Sequence, residues 1–438
     1  MNRMLASIAI AATMALTAPP AAHALQSPEA ATASSTAFDR RAAQLVDLVA
    51  GRIAYADYFD ASFQAAVPKA KFDAITTSII AQYGPPVSID KATSPNGRSG
   101  TVLLRFEKGV GTISLEVGAG PDAKVFGLVF SNFEMANDSF DKVAAELAAL
   151  PGNTGFLVAE LNGSTVRPLA AANADRQFAV GSTIKLYILD ELAAQIATGE
   201  RKWSDVAPLS HPSFSSVGTA NWPKDTPVTL QTLANWMISV SDNGATDTLI
   251  HLLGREKIEA RMRAAGHSDP SRNIPLLTTV EAFALKGNNF ANIRPAFIAG
   301  DDKAQRGLID ANRDRLVLAN VDGISFTDGP RFIDSLEWFA SPKDIARAMI
   351  DLRARKSDTM MSVLAINNGV GPAAGAPWRY LGYKGGSENG VLSMSLLGER
   401  KADGKWLVVT ASWNDPKANL DADKLVGLVT RLLALAAK

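Results

Sequence analysis

The stretch FAVGSTIKLYIL, Phe178 to Leu189, sets a serine, Ser182, three residues before a lysine, Lys185. On a helix a residue at i+3 lies on the same face one turn on, so the lysine amine can reach the serine oxygen. Gly181 permits a tight turn into that helix. Ser182 then sits near the first turn, where free N–H groups and the positive dipole end stabilise an alkoxide or a developing oxyanion. Burial among Phe178, Ile184, Leu186 and Ile188 would lower the pKa of Lys185 and let it take the serine proton. The alternative is an ordinary lysine that snorkels to solvent. Spacing alone does not choose between them, because S-x-x-K also occurs at Ser88–Lys91 and Ser139–Lys142, both in polar surroundings.

Two later stretches change the weighing. MISVSDNGATDTLIHLLG presents Ser241, Asp242 and Asn243 between two helical segments. All three types cap helices well, and a short polar connection is also where a hydroxyl can project into a cleft. YLGYKGGSENG places Lys384, Gly385 and Gly386 at the end of a strand. Paired glycines let backbone approach a ligand closely, and Lys384 offers a charge for a carboxylate; a strand-end turn with a solvated lysine is the plainer alternative.

Composition removes other chemistries. The chain has no cysteine, hence no disulfide, thiolate nucleophile or thiolate metal site. Its four histidines, His23, His211, His251 and His267, form no H-E-x-x-H pattern, which argues against a zinc hydrolase. No G-x-S-x-G elbow supports a Ser-His-Asp hydrolase. The 44 basic residues equal the 44 acidic ones and form no cluster, so neither nucleic acid nor an anionic membrane is expected as partner.

The ordered set resembles the S-x-x-K, S-D-N and K-T-G motifs of the class A serine β-lactamases and their penicillin-binding relatives. The likeness extends to TPVTLQTLANWMISVSDNGATDTLI, to WFASPKDIARAMIDL and to the strands from Trp378 to Trp413, and covers about 138–438. It implies that Ser182 is acylated, with Lys185 as base or proton shuttle. Ser241 would relay a proton to the leaving nitrogen or oxygen. Asn243 would contact Lys185 or the substrate amide. Lys384 would hold a substrate carboxylate and tune Ser241, beside Gly385, Gly386 and Ser387. The backbone N–H groups of Ser182 and Ser387 would form an oxyanion hole, worth about 3 kcal/mol per donor. Asp242 would support the loop. The implied substrate is a small β-lactam or a related ester, with no metal or organic cofactor. A D-alanyl-D-alanine peptidase, or a penicillin-binding sensor that acylates without turnover, would use the same residues.

The chain departs from that pattern twice. Gly385 stands where the family has a hydroxyl residue, leaving a hydrogen bond to substrate carboxylate either missing or supplied by Ser387. No E-x-x-L-N lies between Asn243 and Lys384 to provide a deacylating glutamate. Glu281, Asp328, Asp334 and Glu337 are the acidic candidates in the long segment 268–340, and Glu337, five residues before Pro342, is the nearest to its end. The extra N-terminal domain, the expanded segment and K-G-G together resemble two-domain serine hydrolases similar to a protein of the clavulanate pathway. That resemblance implies ester cleavage on cephalosporin-like substrates and weak β-lactam hydrolysis.

The elements that must position these residues are legible in outline. With 438 residues the chain can bury two cores. Residues 1–24 carry Arg3, an apolar run from Leu5 to Leu16, and Ala22 and Ala24 around His23. This is the layout of a secretory signal cleaved after Ala24. The run falls short of the roughly 20 residues needed to span a bilayer. An exported protein, periplasmic or extracellular and free of the membrane after cleavage, is expected. After a linker at 25–37, residues 38–136 show two helical stretches and then three alternating ones, a small α+β domain with no visible catalytic constellation, suited to a scaffold role ahead of recognition or lidding a neighbour. Residues 138–438 are α+β as well. Strands at both ends surround a helical middle, giving an antiparallel five-stranded sheet flanked by helices plus an all-helical subdomain. The first two strands turn at Asn162-Gly163.

Overall fold

The computed structural model describes residues 35–120, 122–163 and 165–438; the expected signal segment and most of the linker lie outside them. The chain divides into two units, one ending at Asn137 and the other running from Asp138 to Lys438.

In the first unit, helix α1 (Ala37–Ala43) begins on a capping box in which the Thr36 and Asp39 side chains satisfy each other's backbone N–H groups. Helix α2 (Lys69–Tyr83) ends at Gly84, whose φ of 78° few other residues adopt. Four strands follow as an antiparallel meander in sequence order: β1 (Pro86–Thr93), β2 (Ser99–Phe106), β3 (Gly109–Val117) and β4 (Val125–Met135). Strand β3 puts Ile113, Leu115 and Val117 into a core that Phe38, Tyr58, Phe59 and Leu104 complete. The sequence pattern predicts only three strands. The fourth, β1, is an edge strand whose residues after Pro86 are mostly exposed, so PVSIDKAT shows no apolar alternation.

The second unit is built on a five-stranded antiparallel sheet. Its strands are β5 (Asn153–Asn162), β6 (Thr165–Ala172), β9 (Trp378–Glu388), β10 (Val391–Arg400) and β11 (Trp406–Asn414), in the spatial order β9-β10-β11-β5-β6. A separate two-stranded pair, β7 (Phe178–Ala179) with β8 (Phe339–Ala340), ties the approach to Ser182 to the segment just after Glu337. Both faces of the inner strands β5, β10 and β11 are covered, which is why these read as nearly continuous apolar runs. On one face Phe156, Val158, Leu407 and Val409 pack under α3 (Phe140–Ala148) and α10 (Ala422–Ala436). On the other, Leu157, Ala159, Leu397 and Val408 meet the helical half of the unit. That half contains α4 (Lys185–Ala197), α5 (Leu230–Ser239), α6 (Asn243–Leu253), α7 (Arg255–Ala264), α8 (Thr279–Lys286) and α9 (Pro342–Ala354). Among the described residues no helix is long and apolar enough to cross a membrane.

Candidate active site

Ser182 lies in a single 3-10 turn, Gly181–Ile184, that runs directly into α4. Gly181 opens the turn with φ 49°, a left-handed conformation that glycine reaches without strain. The turn is pressed against the far end of β9. A Cβ added to Gly386 would stand 1.9 Å from the Val180 carbonyl oxygen and 2.7 Å from the Ser182 nitrogen, and a Cβ on Gly181 would stand 3.4 Å from the Ser387 nitrogen. Two glycines thus let the backbone N–H groups of Ser182 and Ser387 come near each other.

Lys185, one turn on, does not reach solvent: it is 1% exposed. Its ammonium nitrogen donates to the Ser241 carbonyl at 2.7 Å, to Asn243 Oδ1 at 2.7 Å and to Ser241 Oγ at 3.2 Å. Lys384, 2% exposed, approaches the same hydroxyl from β9 at 3.0 Å and also donates to the Gly385 carbonyl at 2.5 Å. One hydroxyl, Ser241 Oγ, therefore joins two buried amines. Among the described residues neither amine has an ion-pair partner. Burial lowers Lys185 to about 7, against the more distant negative charges of Asp247 and Asp242. Burial and then the Lys185 charge hold Lys384 well below the ordinary lysine range.

The S-D-N connection is held rather than loose. Ser241 adopts φ 60°, a conformation that costs a non-glycine residue about 1–3 kcal/mol and persists where the surroundings impose it. The neighbouring carboxylate does so. Asp242 caps α6 through Ala245 N at 2.8 Å and accepts from Gly218 N, Thr219 N and Thr219 Oγ1. Asn243 donates through Nδ2 to the Phe214 carbonyl at 2.8 Å, which fixes its Oδ1 toward Lys185. The sequence therefore places Ser182, Lys185, Ser241, Asn243, Lys384 and the Gly385–Ser387 backbone around one locus.

Glu337 makes no hydrogen bond to the Lys185, Ser241, Asn243 or Lys384 side chains. It is buried, with Oε1 2.6 Å from the Lys286 amine and Oε2 accepting from Trp338 N at 2.9 Å. Lys286 also binds Glu388 at 2.5 Å. One ammonium between two carboxylates favours a single shared proton. Despite its burial, the Lys286 charge holds Glu337 below the usual carboxylate range, whereas burial and the Glu337 charge raise Glu388. The motif set singles out neither Lys286 nor Glu388; the only available signal was the adjacency of Glu388 to Ser387. Of the other acidic candidates, Glu281 closes the capping box of α8 and pairs with Arg255 at 2.7 Å.

The β-lactamase enzyme family model matches residues 138–365, just over half of the chain. Solved structures similar to it include a β-lactamase from Sphaerobacter thermophilus DSM 20745, at 21% identity over 68% of this chain and 97% of that one, with a TM-score of 0.46. A β-lactamase from Desulfarculus baarsii DSM 2075 is 15% identical over 69% of this chain and 100% of its own, with a TM-score of 0.47. The penicillin-binding protein PBP-A is 15% identical over 68% and 94%, with a TM-score of 0.45. No curated protein matches the sequence. The family match takes in Ser182, Lys185, Ser241 and Asn243 and stops short of Lys384, and on its extent the chain belongs to the β-lactamase enzyme family.

Proposed function

We propose that this chain is an exported serine hydrolase that forms an acyl-enzyme through Ser182 on a β-lactam or a related ester. The observation that carries the reading is the Ser241 hydroxyl shared by two buried amines, neither of them paired with a carboxylate. An amine with its pKa near 7 is poised to accept a proton at neutral pH. Lys185 takes the Ser182 hydroxyl proton as Oγ attacks the carbonyl carbon. The negative charge that develops on the carbonyl oxygen faces the N–H groups of Ser182 and Ser387. Ser241 Oγ hands its proton to the leaving nitrogen of the lactam, or to the leaving oxygen of an ester, and regains one from the amines beside it. Export follows from the N-terminal pattern of residues 1–24.

A second reading, acylation with slow release, is favoured by Glu337. Its carboxylate is engaged by Lys286 and Trp338 N rather than free to activate a deacylating water. Intact-protein mass spectrometry with benzylpenicillin tests both readings. A mass gain that disappears in Ser182→Ala supports acylation at this serine. No adduct with either benzylpenicillin or a fluorophosphonate, or an adduct that survives Ser182→Ala, rejects it. Decay of the adduct with release of penicilloate identifies a hydrolase; persistence over hours identifies a penicillin-binding protein.

A further inference from the structure

Strand β9 carries the pattern Tyr-x-Gly twice, as Tyr380–Gly382 and Tyr383–Gly385. In a strand, residues two apart share a face, so each tyrosine ring can lie along the strand over its glycine. Both do. A Cβ added at 382 would stand 2.6 Å from the Tyr380 hydroxyl oxygen, and one added at 385 would stand 2.0 Å from the Tyr383 hydroxyl oxygen. The two hydroxyls then differ. That of Tyr380 donates to the Met361 carbonyl at 3.0 Å, the ordinary fate of a half-buried phenol. That of Tyr383 has no hydrogen-bond partner among the described residues, and its oxygen is not one of the buried unpartnered side-chain atoms. It therefore retains access to solvent.

The ring is held from the other side too. Gly369, at φ 68°, lies so close that a Cβ there would be 2.5 Å from the Tyr383 ring carbon bearing the hydroxyl. A glycine on each side forms a slot, and the residue packs against the sheet cluster that contains Leu381, Met394 and Leu396. The slot fixes the oxygen within the volume that a side chain at 385 would fill, one residue along the strand from Lys384. Burial pushes the phenol up to about 12, so it stays protonated and can donate at any working pH.

We propose that the Tyr383 hydroxyl is a substrate-binding donor that, together with the Lys384 amine, receives the carboxylate of an anionic acyl substrate. It supplies from residue 383 the hydroxyl that Gly385 lacks. The proposal rests on the acyl-enzyme reading for its place in a reaction, but its binding step can be measured separately.

The test compares wild type, Tyr383→Phe and the double variant Tyr383→Ala/Gly385→Thr. The double variant empties the slot and places a hydroxyl near the same point from the other residue. Second-order acylation rates are measured with benzylpenicillin, which bears a carboxylate, and with p-nitrophenyl acetate, which does not. A hydrogen bond to a charged group is worth about ten-fold or more in affinity. The benzylpenicillin-to-acetate rate ratio is therefore expected to fall about ten-fold in Tyr383→Phe and to recover at least half of that loss, on a logarithmic scale, in the double variant. A ratio in Tyr383→Phe within about two-fold of wild type overturns the proposal. A misfolded double variant, seen by circular dichroism, leaves the Tyr383→Phe ratio to decide. If wild type forms no adduct at Ser182, the acyl-enzyme reading fails instead. The hydroxyl is then judged by the affinity of wild type and Tyr383→Phe for benzylpenicilloate: a loss of about ten-fold supports its role, and equal affinity or no binding overturns it.

Discussion

At the scale of single residues, the site is governed by how many protons two amines share. On the proposed mechanism Lys185 must be neutral to accept the Ser182 proton, and burial lowers its pKa to about 7. At pH 6 roughly one amine in ten is neutral, and at pH 8 roughly nine in ten. The rate at which a fluorophosphonate phosphonylates Ser182, followed by stopped-time mass spectrometry, is therefore expected to rise through pH 7 and to level off above about 8. A flat profile between pH 6 and 8 contradicts a lysine base. The residue types of this machinery were readable from the sequence because S-x-x-K, S-D-N and K-G-G occur in order, and the structure brings Lys185, Ser241, Asn243 and Lys384 together. The Lys286–Glu337–Glu388 cluster was not readable. Its members are 51 residues or more apart, and a buried charge is indistinguishable in sequence from an exposed one until the fold shows its partner.

At the scale of elements, what matters is how closely β9 can approach the turn that carries Ser182. Gly386→Ala would force a methyl group to within 1.9 Å of the Val180 carbonyl oxygen, and backbone on both sides leaves no flexible side chain to yield. The strand must separate from the turn, carrying the Ser387 N–H away from that of Ser182. Acylation is expected to fall about 100-fold or more, as when an oxyanion donor is lost, with about 1–3 kcal/mol of stability lost to overpacking. Gly307→Ala serves as the control, since nothing lies within 4 Å of a Cβ there, and it is expected to be neutral or slightly stabilising in a urea melt. Equal acylation rates in the two variants would refute this account. Strands and helices were legible wherever apolar spacing is regular, as in β9 to β11 and in α4. The polar edge strand β1 was not, because an edge exposed to water does not demand alternation. The glycine contacts were invisible for a related reason: a glycine's sequence neighbours do not say what lies across from it.

At the scale of the molecule, the second unit closes on itself late. Strand β5 lies between β6 and β11, so Asn153–Asn162 pairs with Trp406–Asn414 across roughly 250 residues. Lys384 and Ser387 sit on β9, which reaches β5 only through β10 and β11. Such non-local pairing is slow, because the loop must close before its contacts form. A chain ending at Lys405 retains Ser182, Lys185, Ser241, Asn243 and Lys384 but lacks the strand that links the two halves of the sheet. It is expected to give no fluorophosphonate adduct at Ser182, whereas full-length chains are labelled. Labelling of the truncated chain at the full-length rate would show that the site forms without the closed sheet. On that expectation the pairing of the two ends of the unit acts as a timer. In an unfinished chain the serine is expected to be inert, with reactivity gained only when the last strand has found the first. The covalent probe that reports the chemistry would then double as a clock for the completion of folding.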